Sequence, residues 1–191
     1  KLYSTPYINQ YKLKLFETNK VKDEFRNKIN EVFDATRLLY RLNEHMEVER
    51  IFDKSTIIND LEDAIGNVQE PGLKDLLEEA VNLFRKPKPS MNSLAIEKIW
   101  DAFERMKSLF GKDKKTSTQL VIDKISANQV DFRNLLDEEF KTLTMIGNNF
   151  QIRHYETPKI PIVDENHRDY LFNRCAALIL LGLKFLNQAN N

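Results

Sequence analysis

The segment from Asn166 to Leu186 constrains the fold of this 191-residue chain more than any other. It reads NHRDYLFNRCAALILLGLKFL, with apolar side chains nearly all round a helix instead of along one stripe. Such a helix is either central in a bundle or shared between two copies of the chain. Its longest apolar run, Cys175 to Leu183, is bounded by Arg174 and Lys184 and is far too short to span a bilayer.

The remaining sequence supplies helices to surround that centre. Glycine and proline are scarce, at five and six copies, which argues against an all-β or disordered chain. Apolar residues at helical spacing predict helices over 20–43, 57–65, 73–85, 93–110, 116–125, 128–146 and 166–186. Breakers separate them: Pro71-Gly72, Lys86-Pro87-Lys88-Pro89, Gly111 and Gly147-Asn148-Asn149. Trp100 and Phe103 share a face with Ile96 and Ile99 and read as core. Residues 44–53 link or extend the first helix. Residues 1–17 alternate weakly at Tyr11, Leu13 and Leu15, as a short strand or an extended arm would, and Ile160 and Ile162 suit a short strand or bridge. The expectation is an all-α helical bundle over 51–191, with 1–50 as an arm and first helix, or an appendage.

Lys plus Arg and Asp plus Glu both number 29, so no global field draws the chain to nucleic acid or membrane, and an RNA partner would need a local patch. The single cysteine, Cys175, cannot form an internal disulfide, and its apolar flanks make it a core residue. With a polar and aromatic start in place of a leader, this gives the expectation of a cytoplasmic protein with no membrane partner. No Cys-x-x-Cys, His-Glu-x-x-His or glycine-rich phosphate loop is visible, so neither a metal nor a cofactor is expected. The runs Asp137-Glu138-Glu139, Lys86 to Lys88 and Lys112 to Lys115 read as solvated faces.

The densest polar cluster lies between the last two long helices: Asn148, Asn149, Arg153, His154, Tyr155 and Glu156, then His167 and Arg168. An imidazole can move protons near neutral pH, and a guanidinium can grip a phosphate with two hydrogen bonds. Together they suit phosphodiester cleavage by general acid-base chemistry. The plainer reading makes them solvent-facing or hydrogen-bonded to helix ends. Arg168 gains nothing from the dipole in a first turn, which favours a partner such as Glu165 or a ligand.

Three stretches, LAIEKIWDAFERMKSL (94–109), LLDEEFKTLTMIGNNFQIRHYE (135–156) and HRDYLFNRCAALILLGLKFL (167–186), resemble the C-terminal helical region of AbiJ-type abortive-infection proteins, a branch of the HEPN superfamily. The resemblance implies a HEPN-like bundle, often a homodimer, here through the C-terminal helix, and in many members a metal-independent ribonuclease of phage defence. The family motif is Arg, four to six residues, then His. Counting back from His154, those arginine positions hold Gly147, Asn148 and Asn149, so the motif is degenerate. On the catalytic reading His154 is acid or base and Arg153 holds phosphate, while Asn148, Asn149, Glu156, His167 and Arg168 contact RNA. The alternatives are a non-catalytic dimerisation or RNA- and nucleotide-binding module, and a helical scaffold whose histidines are hydrogen-bonded end caps.

Overall fold

The computed structural model describes residues 18–36, 38–51, 57–87, 89–152 and 159–186. Its chain forms two units, 1–51 and 52–191.

In the first unit, helix α1 spans Thr18–Ala35, and strands β1 (Tyr40–Leu42) and β2 (Val48–Arg50) form an antiparallel hairpin with Tyr40 opposite Arg50 and Leu42 opposite Val48. The helix therefore stops short of the expected Asn43. Two features outweigh the helical spacing of Leu38 and Leu39. Asn43 Oδ1 accepts from the backbone N–H groups of His45 and Glu47, and Met46 takes a positive φ of 63°, which together turn the chain. The Asn30 side chain then mimics a neighbouring strand: its Nδ2 donates to Leu42 O (3.1 Å) and its Oδ1 accepts from Leu42 N (2.7 Å). Phe33 packs edge-on to Tyr40.

The second unit contains helices α2 (Ile57–Ile65), α3 (Pro71–Phe84), α4 (Pro89–Met106), α5 (Lys114–Ile125), α6 (Val130–Asn149) and α7 (Glu165–Leu186). Pro71 and Pro89 both occupy the first turn of a helix, where a missing N–H costs nothing. For Pro89 this moves the helix start ahead of the expected 93. Glu70 caps α3 by accepting from Gly72 N and Leu73 N (3.2 and 2.6 Å), and Asp113 caps α5 by accepting from Thr116 N (3.0 Å). A parallel bridge pairs Phe150 with Ile160.

The bundle is organised around α7, which packs on α2, α4 and α5, while α3 pairs with α4 and α5 with α6. Leu171, Phe172, Cys175, Ile179, Leu180 and Leu183 are all buried, so the surrounding helices absorb most of the apolar circumference. Each such side chain contributes about 1.5–3 kcal/mol on burial. Phe172 stacks on Phe84 with ring centroids 3.9 Å apart, and Cys175 Sγ donates to Ile99 O (3.6 Å). Trp100 and Phe103 are fully buried. No helix among the described residues is long and apolar enough to cross a membrane.

Candidate functional site

Helices α5 and α6 lie side by side and leave a cleft of about 470 Å³ between them. The spacing of its lining explains how it forms. On α6, Asp137, Lys141, Thr144 and Asn148 recur every three or four residues and so share one face. On α5, Lys115, Thr118 and Gln119 do the same. Phe140 and Met145 add apolar surface, and Lys107, just past the end of α4, closes one side.

Three ammonium groups and one carboxylate line this cleft: Lys107, Lys115, Lys141 and Asp137. Lys107 is 4% exposed, which a lysine tolerates only when its charge is compensated. Its Nζ contacts Glu104 Oε1 (2.6 Å), donates to Thr144 Oγ1 (2.8 Å) and lies 4.7 Å from the centre of the Phe103 ring. Burial would raise the Glu104 carboxyl, but hydrogen bonds from Lys107 and Lys114 outweigh it and hold the group below its ordinary range. Lys141 Nζ lies 2.6 Å from Asp137 Oδ2, and Gln119 Nε2 donates to Asp137 Oδ1 (2.9 Å). The hydrogen bond from Lys141, then that from Gln119, keep the Asp137 carboxyl low and ionised.

Of the residues singled out in the sequence, Asn148 and Asn149 line this cleft, both exposed. Arg153, His154 and Glu156 lie outside the described residues. Arg168 is placed elsewhere. Its guanidinium pairs with Glu165 and donates to Ile162 O (2.5 Å), so it ties the first turn of α7 to the segment before it. Asn92 Nδ2 joins the same end by donating to Glu165 Oε2 (3.1 Å) and Asp169 Oδ1 (3.4 Å). His167 is exposed one residue earlier, where it helps to lower the Asp164 carboxyl, although the Asn166 N–H is the larger cause. The two asparagines are thus grouped with lysines, and Arg168 is not among the residues lining their cleft.

Lys115 read in the sequence as part of a solvated run and Lys141 drew no attention, because short lysine runs and i,i+4 acid–base pairs ordinarily mark solvated faces. The available signal was the polar stripe Asp137, Lys141, Thr144, Asn148 running through an otherwise amphipathic helix. Glu139 also departs from expectation: Arg174 Nε and Nη2 donate to its two oxygens (2.9 and 2.8 Å), clipping α6 to α7. A second recess of about 430 Å³ in the first unit is lined by Arg26, Arg41, Glu44 and His45, but Arg26 is paired with Asp23 and Arg41 with Glu49, so its charges largely cancel. Among the described residues no three of His, Cys, Asp and Glu are grouped to hold a metal ion. No protein-family model matches the chain, and comparison with curated proteins and with solved structures gives no match either.

Proposed function

We infer that residues 52–191 form a HEPN-like, RNA-binding helical module of a phage-defence protein, with the α5–α6 cleft receiving the sugar-phosphate backbone of an unpaired strand. One observation carries this reading: Lys115 lines the same cleft as Asn148 and Asn149, beside Lys107 and Lys141, whose charges are balanced by Glu104 and Asp137. In a chain of zero net charge Lys115 supplies the local positive charge that RNA binding requires. Amides at the rim add hydrogen-bond donors for phosphate or sugar oxygens. The catalytic extension assigns proton transfer to His154 and phosphate contact to Arg153, which follow Asn149 closely in sequence. Arg168 is left out of it, because its guanidinium is engaged by Glu165 and Ile162.

The test is fluorescence anisotropy of a labelled single-stranded RNA, in EDTA, with the wild-type chain and with Lys115→Glu. Binding should weaken about tenfold in the variant, since a charge-assisted contact contributes about 1.5–3 kcal/mol and the substitution reverses the charge. Gel analysis of the same mixtures, with His154→Ala alongside, reads cleavage separately. If no RNA binds at about 50 mM salt, where phosphate contacts are strongest, the reading fails.

A further inference from the structure

A carboxylate in a cleft that receives phosphates works against them, and Asp137 is such a group. It is not a loose surface acid. Its side chain is 22% exposed, and it is held from two sides by Gln119 Nε2 at Oδ1 (2.9 Å) and Lys141 Nζ at Oδ2 (2.6 Å). Gln119 is itself fixed, because its Oε1 accepts from Arg133 Nη2 (2.7 Å). Each carboxylate oxygen can accept about two hydrogen bonds, so one acceptor position remains on each oxygen. The result is a rigid, ionised pair of acceptors inside a cleft roomy enough for a base, beside the apolar surface of Phe140 and Met145.

We propose that Asp137 is a specificity determinant that reads guanine in single-stranded RNA, accepting hydrogen bonds from guanine N1–H and the N2 amino group. This rests on the RNA-binding reading of the cleft. Guanine is the base whose pairing edge offers two adjacent donors, matching the two acceptors of one carboxylate. Adenine and cytosine each offer one donor beside an acceptor, and the uracil donor is flanked by two carbonyls that the carboxylate repels. An unpaired strand can turn that edge into a cleft, as a duplex cannot. Lys115 then holds a flanking phosphate, and Asp137 decides which base is accepted.

The experiment uses the full chain and labelled oligouridine strands carrying one central guanosine, inosine or adenosine. Inosine keeps N1–H and lacks only the N2 amino group. The guanosine strand should bind about tenfold more tightly than the inosine and adenosine strands, in line with about 1–3 kcal/mol for a bidentate base contact. Asp137→Asn should shrink that preference to about twofold or less while leaving the adenosine strand bound at least as well, since a repelling charge is gone. Asp137→Glu, which restores the carboxylate, should recover part of the preference. A fold defect would weaken all strands alike, so the ratio between strands isolates the base contact. Equal wild-type affinity for all three strands, still sensitive to Lys115→Glu, overturns the guanine assignment and leaves RNA binding standing. A preference that survives in Asp137→Asn overturns it too. Failure of every strand to bind overturns both.

Discussion

Replacing Gly147 by alanine tests how closely α6 packs against Trp100 of α4. Gly147 lies in the last turn of α6, immediately before Asn148 and Asn149. A Cβ built there falls 2.5 Å from Trp100 Nε1 and 2.7 Å from Trp100 Cδ1, closer than real Cβ contacts allow. The obstacle is a fully buried indole, which has no open space to swing into. That indole also donates from Nε1 to Leu143 O (3.2 Å). Overpacking a core costs about 1–3 kcal/mol. Losing the indole hydrogen bond adds about 0.5–1.5 kcal/mol. Against this, alanine gains at most about 1 kcal/mol of helix propensity over glycine. The net expectation is a loss of about 2 kcal/mol, or about 4–8 °C in melting temperature for a chain of this length. Urea unfolding followed by fluorescence is the natural assay, because Trp100 is the only tryptophan and reports on its own surroundings. Gly66→Ala serves as the control: its nearest neighbour is Asp63 O at 3.7 Å, an ordinary contact, so that variant should match or slightly exceed the wild type. A Gly147→Ala chain as stable as the wild type, with an unchanged emission spectrum, would refute the claim that Trp100 requires glycine opposite it.

Lys107→Met should destabilise the chain by about 1–3 kcal/mol, below the full cost of breaking a buried pair because Glu104 keeps Lys114. Glu104 is depressed in the folded chain, so its contribution is present above the ordinary glutamate value and fades as pH falls through the lower folded value. Without Lys107 the depression is smaller, so urea midpoints measured from pH 7 downward should fall less through the acid range in the variant than in the wild type. Glu70→Ala removes the cap of α3 and the partner of Arg105, and should cost about 1 kcal/mol in chemical denaturation, most of it from the cap. Burial pushes the Cys175 thiol well above its ordinary value, so a thiol reagent should label it rapidly only after denaturant is added. Fast stoichiometric labelling of the native chain would contradict its place in the core.

Periodicity and breakers in the sequence were enough to place the helices of the second unit, because the side-chain pattern of each is set by which of its faces meets apolar neighbours. The all-round apolar character of 166–186 required that every face of α7 be covered, by neighbouring helices or by a second copy, and packing within the chain shows the first; the fully buried Trp100, Phe103 and Cys175 match their reading as core residues. Other features belong to relations between distant segments, which no single window contains. The hairpin that follows α1 is turned locally by Asn43 and Met46, but it is held to the helix by Asn30 reaching Leu42, twelve residues away. Gly147 reads as a helix stop, yet it lies within α6 under Trp100, a close approach legible only when α4 and α6 are side by side. The cleft is the same kind of fact. Lys107, Lys115 and Lys141 come from three stretches of chain, and each alone resembles a solvated lysine. Packing brings their charges to one place, and electrostatic attraction depends on that separation in space, whereas sequence records only separation along the chain.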